Sequence, residues 1–297
     1  MKTTIERIVV ASVSGGKDSV AMSLYFKEKE IEHRRVFMDT GWEADVTYEY
    51  LRNTLPQFIG PIEEIRGPLL MEDLVKKKGM FPSRLRRFCT EELKVKPMIR
   101  HIAQLQDEGH ECVNAVGIRR AESSARSEAL EREWSDAFDC EVWRPLIHWT
   151  MDDVVAIHKR HGVPPNPLYL MGATRVGCWP CIHSRKSEIR LVGEKDPGRI
   201  DRLRQLETDV GTKARERYAA RGETMADPPS FFQAPIPVSK ESSPGVVTKH
   251  YPPWPIDRVV EWSKTSHGGR QVDFLGGDSA AQEGCMRWGL CDSTPEE

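Results

Sequence analysis

Six consecutive residues carry the clearest chemical signal in the chain: Ser14-Gly15-Gly16-Lys17-Asp18-Ser19. They lie between a β-branched apolar run over 5–14 and a helically spaced segment. At a helix start, small residues let backbone N–H groups approach phosphate oxygens, and the helix dipole favours negative charge. Lys17 adds a cation, and Ser14 and Ser19 add hydroxyl donors. The motif predicts a phosphate site, although an ordinary tight turn would use the same glycines.

Polar residues also end the next predicted strand. Asp39, Thr40 and Gly41 close the strand predicted over 33–41. Parallel sheets bind ligands at the carboxyl ends of their strands, so Asp39 could hold Mg²⁺ or a ribose hydroxyl. The alternative is an Asp-initiated turn without a ligand.

A third set follows the strand predicted over 111–120, which contains Gly117 and Arg119. Arg119 and Arg126 flank a pair of serines, an arrangement that suits an anion site with two guanidinium groups. The alternative is a capped surface helix on which Arg126 pairs with Glu122 or Glu128.

The seven cysteines form two pairs and three single residues. Cys178 and Cys181 make a CxxC motif, and Cys285 and Cys291 lie near the C-terminus. Four thiolates complete either a tetrahedral zinc site or an iron–sulfur cluster, while reduced cysteines without metal are the third alternative.

The single cysteines differ in their surroundings. Cys112 and Cys140 fall in apolar strand patterns and are expected in the core. Cys89 follows an arginine-rich stretch that favours the thiolate form. It could carry persulfide sulfur, replace one tail cysteine as a metal ligand, or have no chemical role.

One stretch is densely basic, with six cations between positions 76 and 87: Lys76, Lys77, Lys78, Arg84, Arg86 and Arg87. It predicts either contact with a nucleic-acid backbone or a solvated surface. The histidines, among them His148, His158, His161 and His183, show no metal-ligand spacing and are assigned to ordinary packing or surface roles.

Strand patterns alternate with helix patterns from residue 5 to about residue 162, where Gly162 ends a predicted helix. This alternation predicts an α/β fold with a mainly parallel sheet and helices on both faces. A charged helical stretch follows over 193–218, and eight prolines between Pro228 and Pro255 predict a loop-rich segment. We therefore expect a main domain over 1–190 and a C-terminal extension over 191–297.

Composition narrows the class of protein. The 297 residues carry a formal net charge of −2, with 30% charged residues and a mean hydropathy of −0.52. No apolar run approaches the ~20 residues that span a bilayer, and the first residues lack a signal-peptide pattern. We expect a cytoplasmic protein with no membrane partner. The near-zero charge argues against a polybasic nucleic-acid binder but allows a local basic groove.

The hexapeptide resembles the signature of the PP-loop ATP pyrophosphatases, which split ATP between the α and β phosphates and adenylate a substrate. It differs from the GxxxxGK[ST] spacing of Walker-type kinases and GTPases. Further segments are similar to the phosphoadenosine phosphosulfate (PAPS) reductase-like branch: Asp39-Thr40-Gly41, Cys89-Thr90-Glu91-Glu92-Leu93-Lys94, Gly117-Ile118-Arg119, Glu122-Ser123 with Arg126, Pro145-Leu146 with Trp149, Asn166-Pro167-Leu168-Tyr169 and Arg175-Val176-Gly177-Cys178. The resemblance covers about residues 5–190.

The resemblance implies a Rossmann-like fold of the adenine nucleotide alpha hydrolase type, binding ATP with Mg²⁺. It assigns catalytic roles to Lys17, Asp18, Cys89 and Arg119. The implied nucleotide-binding residues are Ser14, Gly15, Gly16, Lys17, Asp18, Ser19, Asp39, Thr40, Gly41, Gly117, Arg119 and Arg126. Relatives in this branch often carry a [4Fe–4S] cluster, which would be held here by Cys178, Cys181, Cys285 and Cys291, with Zn²⁺ as the alternative.

The function expected from these features is adenylation of a substrate for sulfur transfer, similar to the sulfur-transfer proteins of DNA phosphorothioation. Its partners would be ATP, a nucleic-acid substrate and a cysteine desulfurase or other sulfur donor; homo-oligomer formation is left open. One alternative is a sulfonucleotide reductase, although the tail departs from the reductase pattern by reading Trp288-Gly289-Leu290-Cys291. A second alternative is a nucleotide-binding subunit of a larger modification or defence assembly.

Overall fold

The computed structural model of the chain describes residues 6–83, 85–122, 124–235, 237–243 and 246–266. Arg84, Ser123, Cys285 and Cys291 lie outside these ranges. By their contacts, the described residues divide into a first unit, 6–68 with 90–178, and a second unit, 69–89 with 179–266. The boundary expected near residue 190 from composition stays a prediction.

The strands are β1 Arg7–Ser12, β2 His33–Asp39, β3 Glu63–Arg66, β4 Glu111–Ala115, β5 Arg132–Ser135, β6 Cys140–Trp143, β7 Phe232–Gln233, β8 Val238–Ser243, β9 Val246–His250 and β10 Pro253–Trp254. The helices are α1 Lys17–Glu28, α2 Asp45–Glu49, α3 Pro56–Ile59, α4 Met71–Lys78, α5 Phe88–Thr90, α6 Lys96–Asp107, α7 Ser124–Ser127, α8 Met151–Arg160, α9 Pro167–Leu170, α10 Lys186–Lys195, α11 Pro197–Ala219 and α12 Ile256–Lys264. Two π-helical turns, Tyr50–Thr54 and Glu91–Val95, and a 3₁₀ turn, Arg120–Glu122, link helical segments.

The first unit is built on a six-stranded sheet in the order β3-β2-β1-β4-β6-β5. Every pairing is parallel except that of the edge strand β5 with β6. The strand order reverses at β1, from which the chain moves first to β2 and later to β4. Ligands of such sheets bind at this switch point, beyond the carboxyl ends of the strands. The predicted α/β class with a mainly parallel sheet is confirmed.

Helices cover both faces of the sheet because successive strand residues point to opposite sides. On one side, Ala11 and Val13 pack with the apolar face of α1. On the other, Val10 packs with Cys112 and Cys140, whose side chains are buried as predicted. Burial raises the pKa of the Cys140 thiol to about 11 and also raises that of Cys112, so both are poor nucleophiles at neutral pH.

The second unit is mainly helical. Helix α11 packs against α4, α10 and α12 through a buried stripe that includes Leu203, Leu206 and Val210. The Glu207 carboxylate accepts the N–H groups of Phe231 (2.9 Å) and Ile256 (3.0 Å), so it fixes two loop segments to α11. Over the proline-rich region, where loops were expected, β7 pairs with β10 and β8 pairs with β9.

One strand boundary and one additional strand differ from the sequence prediction. The strand predicted over 111–120 ends at Ala115, because the chain must leave the sheet at Gly117 to pack against α1. The edge strand β5 was not predicted. Within the described ranges, no helix combines the length and apolar character needed to cross a bilayer.

Candidate functional site

The turn from β1 into α1 is closed by its own hydrogen bonds. The Ser14 N–H donates to Ser19 Oγ (3.1 Å), and Ser19 Oγ donates to the Gly16 carbonyl (2.9 Å). Gly15 has a φ of +73°, which favours glycine, and a Cβ there would lie 3.2 Å from Leu51 Cγ. The backbone conformation therefore favours glycine here, and any side chain would crowd Leu51.

Two cations meet on one buried carboxylate at this turn. Asp18 Oδ2 lies 2.9 Å from Lys17 Nζ, and Asp18 Oδ1 accepts a hydrogen bond of 2.6 Å from Arg119 Nε. Only 4% of Arg119 is exposed. Asp18 thus holds a lysine from the helix start and an arginine from the loop after β4 in one place. With one anion against two cations, the group retains a net positive charge.

Gly117 makes this meeting possible. A Cβ on Gly117 would lie 2.8 Å from the Asp18 carbonyl oxygen and 3.0 Å from Ser19 Cα, which is too close for any side chain. The loop after β4 can therefore pack directly against the first turn of α1. Arg119, two residues further on, reaches Asp18 as a result.

Three side chains from later in the chain support the turn from outside. His158 Nε2 lies 2.9 Å from the Lys17 carbonyl, and the Tyr169 hydroxyl accepts the Lys17 N–H (3.2 Å). Asn166 Nδ2 donates to the Gly15 carbonyl (3.3 Å). Burial lowers the pKa of His158, against the opposing effect of the Lys17 carbonyl, so the ring is neutral at pH 7 with its proton on Nε2.

Sequence reasoning missed these supporting roles. His158 was assigned to ordinary packing, yet it lies on the same face of α8 as the buried Val154 and Ile157. A polar residue on the apolar face of a helix was the available signal. Asn166 and Tyr169 belong to a segment that carries the family resemblance. No local sequence pattern links them to a turn about 150 positions earlier.

The neighbouring strand end, at Asp39, is satisfied internally. Asp39 Oδ1 accepts the Gly41 N–H (2.8 Å) and the Tyr48 hydroxyl (2.6 Å), and Oδ2 accepts Arg66 Nε (2.6 Å). Burial opposes the charge of Asp39, but these donors outweigh it and lower its pKa. A Mg²⁺ ion or ribose hydroxyl at Asp39 would have to compete with Tyr48 or Arg66.

A second buried carboxylate, Glu43, lies in the same network. It accepts hydrogen bonds from Thr40 Oγ1 (2.8 Å) and from the Tyr48 hydroxyl (3.0 Å). Burial and the two carboxylates raise the pKa of Tyr48, which stays protonated. Glu43 also pairs through its backbone with Cys178, which brings the first cysteine of the CxxC motif to this end of the sheet.

The remaining predicted residues are placed as follows. Arg126 pairs with Glu122, whose carboxylate also accepts the Arg119 N–H (2.9 Å). Cys89 belongs to the second unit, in α5. Cys178 ends the first unit and Cys181 opens a turn in the second, where its Sγ accepts the His183 N–H (3.5 Å). Among the residues that the structure describes, no three Cys, His, Asp or Glu side chains gather as a metal site.

Residues 8–184 match the family model of the phosphoadenosine phosphosulfate reductase domain, which is more than half of the chain. The chain belongs to this family. It is therefore a PAPS reductase-like member of the PP-loop superfamily, with a nucleotide-binding fold. The match includes the β1–α1 turn, Arg119, Cys178 and Cys181, whereas Cys285 and Cys291 lie beyond it.

The chain is similar to several individual proteins. An uncharacterised 37.8 kDa protein of Escherichia phage 186 is 32% identical, covering 90% of this chain and 91% of its own length. The adenosine 5′-phosphosulfate reductase of Allochromatium vinosum is 28% identical over 61% of this chain and 70% of its own. The solved PAPS reductase of Candida auris aligns at 21% identity with a TM-score of 0.45, over 58% of this chain and 81% of that one.

Proposed function

We propose that this family member is an ATP pyrophosphatase that adenylates an acceptor for sulfur transfer, in the modification of nucleic acid. The observation that carries the proposal is the complete Ser14–Ser19 turn with Lys17 and Arg119 both held on Asp18. Two cations beside a helix start suit a polyphosphate, because charge accumulates there when the bond between the α and β phosphates breaks.

In the proposed reaction, an acceptor oxygen attacks the α phosphorus of ATP and pyrophosphate leaves with the electron pair of the broken P–O bond. Lys17 and the turn amides stabilise the charge on the leaving pyrophosphate, and Arg119 binds a phosphate oxygen. His158 and Tyr169 keep the Lys17 backbone in place. A persulfide sulfur then displaces AMP from the acceptor. A second thiol attacks the carrier sulfur of the resulting S–S bond, which releases the acceptor thiolate with the electron pair and leaves a disulfide between the carrier and the second thiol.

The cluster part of the proposal rests on the cysteines. Cys178 and Cys181 supply two adjacent ligands, and an N–H donated to a sulfur, as His183 donates to Cys181, is a contact typical of ligating sulfurs. Cys285 and Cys291, or Cys89 in place of one of them, would complete a [4Fe–4S] cluster, with Zn²⁺ as the alternative. When bound, such a cluster would serve sulfur handling or contribute to the electrostatics of the site.

A second candidate is a sulfonucleotide reductase. It is favoured by two relatives that are named adenosine 5′-phosphosulfate reductases, one from A. vinosum and one from Bacillus subtilis. The B. subtilis protein is 27% identical over 61% of this chain. A reductase releases no pyrophosphate, so its reaction does not need the two cations on Asp18 to stabilise such a leaving group. A third candidate, a nucleotide-binding subunit of a larger assembly, would bind ATP without turning it over.

The test is calorimetric binding of Mg²⁺–ATP, adenosine 5′-phosphosulfate and PAPS to one anaerobic preparation, with Lys17→Ala as the variant and Lys29→Ala, at the other end of α1, as the control. We expect ATP to bind and Lys17→Ala to weaken it about 10- to 100-fold, since one charge-assisted hydrogen bond to phosphate is lost. Tight sulfonucleotide binding with no ATP binding would assign the protein to the reductases.

The cluster is tested by iron and labile-sulfide analysis of the same preparation. We expect about four irons per chain and their loss in Cys178→Ala. An iron-free protein with one zinc would overturn the cluster assignment while leaving the ATP chemistry intact.

A further inference from the structure

Charge is divided unevenly between the two units. Residues 69–89 and 179–266 carry 21 Lys and Arg against 14 Asp and Glu, a formal charge of +7. Residues 1–68 and 90–178 carry 20 against 25, a formal charge of −5. The near-zero total therefore conceals a basic second unit, and such a local excess attracts polyanions.

The excess is concentrated near the end of α4. Residues 74–90 include six cations and no Asp or Glu. Arg217 of α11 donates a hydrogen bond to the Lys78 carbonyl, and Lys78 Nζ lies 5.1 Å from the centre of the Phe88 ring. Both α11 and the loop that follows α4 thus return to the same end of α4. We define the basic surface as Lys77, Lys78, Arg86, Arg87 and Arg217.

Two acids near this surface pair with cations that lie outside it. Asp209 pairs with Lys76 (2.8 Å) and Glu72 pairs with Arg202, so both anions are matched by cations outside it. The dipole of α4 accounts for lysines in its last turn, because the C-terminal end of a helix is negative. It does not account for Arg86 and Arg87, which lie in the following loop.

The same loop presents an apolar side chain. The Ser83 N–H donates to the Arg86 carbonyl (3.1 Å), and the Arg86 N–H donates to Ser83 Oγ (3.2 Å), which closes a turn. Leu85 lies in this turn with 96% of its surface exposed, directly before the two arginines. An exposed apolar residue among cations is the combination with which proteins bind a phosphate backbone and insert between bases.

We propose that the basic surface binds the phosphate backbone of nucleic acid, with Leu85 contacting the bases. The inference rests on the proposed function for the role of this nucleic acid as the acceptor. The backbone supplies one phosphate per nucleotide, so several cations can be engaged at once and binding should weaken steeply with salt. DNA and RNA share this chemistry, and the experiment distinguishes them.

The experiment is fluorescence anisotropy of the full-length chain with a labelled 20-nucleotide single strand of DNA, the matching duplex and an RNA hairpin, at 50 to 200 mM KCl. We expect Lys77→Glu with Arg86→Glu to weaken binding at least 10-fold and to make the salt dependence shallower by about two phosphate contacts. Leu85→Ala should weaken binding a few-fold without changing the salt slope, because it removes no charge.

The matched control is Arg215→Glu with Lys195→Glu, which changes the net charge equally. Arg215 is two positions from Arg217 and therefore about 200° away around α11. We expect this control to bind like the unmodified chain. Equal weakening by both double variants would show that only net charge matters and would overturn the proposal, as would binding to phosphatidylserine vesicles but to none of the nucleic acids. Thermal unfolding confirms that the variants are folded.

Measuring Mg²⁺–ATP binding on the same samples separates this inference from the proposed function. Nucleic-acid binding without ATP binding would leave the basic surface standing and remove the ATP pyrophosphatase. ATP binding without nucleic-acid binding would overturn the inference about the basic surface and leave the ATP pyrophosphatase proposal standing.

Discussion

The carboxyl ends of β1 and β2 lie side by side, yet they use buried carboxylates in opposite ways. At the end of β1, Asp18 holds Lys17 and Arg119 and leaves a net positive charge next to a helix start. At the end of β2, Asp39 is satisfied by Arg66, Tyr48 and the Gly41 N–H. The carboxylate at the first end therefore faces two cations, whereas the carboxylate at the second end is neutralised by one cation and two further hydrogen-bond donors.

Two aspartates in equivalent sequence positions can therefore have different partners. Both positions satisfy the sequence rule that polar residues follow the strands of a parallel sheet. What separates them is the supply of donors: Tyr48, which comes from α2, reaches Asp39, while Asp18 receives two cations. Variants at the two strand ends therefore test whether the two carboxylates differ in their effects on stability and on nucleotide affinity.

The largest effect is expected for Asp18→Asn. It leaves Arg119 buried without a charged partner, which costs on the order of 3 kcal/mol in the free energy of unfolding. Urea unfolding measures it. Asp152→Asn, an exposed aspartate in the first turn of α8, is the control and should cost less than about 1 kcal/mol. If Asp18→Asn and Asp152→Asn both lower the free energy of unfolding by the same small amount, then the Asp18–Arg119 ion pair is not buried at the end of β1.

The next largest effect is expected for Gly117→Ala. The new Cβ would be forced against the Asp18 carbonyl, so the loop after β4 must shift, at about 1–3 kcal/mol of stability. Because Arg119 moves with the loop, we expect ATP affinity to fall about tenfold. Gly211→Ala in α11, where the nearest atom is 3.7 Å away, is the control and should be neutral or stabilising. Unchanged ATP affinity in Gly117→Ala would separate Arg119 from nucleotide binding.

Tyr48→Phe tests the second end. It removes the hydroxyl shared by Asp39 and Glu43, and we expect a loss of about 1–2 kcal/mol in unfolding free energy. Without that donor the pKa of Asp39 rises towards its ordinary value, so the stability that its charge contributes above about pH 4 shrinks. ATP affinity should change less than about threefold. A fall as large as in Gly117→Ala would show that Asp39 binds nucleotide, as the sequence predicts.

The smallest effect concerns pH. The pKa of His158 is lowered by burial, so the unfolded chain takes up a proton near pH 6.5 and the folded chain only at lower pH. Stability therefore falls as the pH drops through 6.5, and His158 contributes up to about 0.7 kcal/mol of that loss between pH 7 and 6. His158→Gln keeps a donor near the Nε2 position and should remove this contribution.

Urea unfolding at pH 7 and pH 6 measures that difference, with His148→Gln, an exposed histidine, as the control. If His158→Gln and the unmodified chain lose the same stability, then His158 is not the buried neutral support of the Lys17 carbonyl.

Much of the first unit was predictable because its signals are local. The apolar run before Ser14, the glycines of the turn and the helical spacing after it lie within 25 residues, and they fix a strand, a turn and a helix in that order. The burial of Cys112 and Cys140 followed from strand patterning. The edge strand β5 is not predictable from the sequence, because its four residues, Arg132–Ser135, are mostly exposed and show no apolar alternation.

The α/β class, the family and the position of the β1–α1 turn can be read from the residues alone, because short-range periodicity and motif spacing encode them. The fold, in contrast, selects the partner of each polar side chain: Arg119 meets Asp18, His158 meets the Lys17 carbonyl, Tyr48 meets Asp39, and Arg217 meets the end of α4. This is because the local sequence does not specify which partner a charged or hydrogen-bonding group will have. Its partner is chosen by the packing of elements that lie up to 141 positions apart.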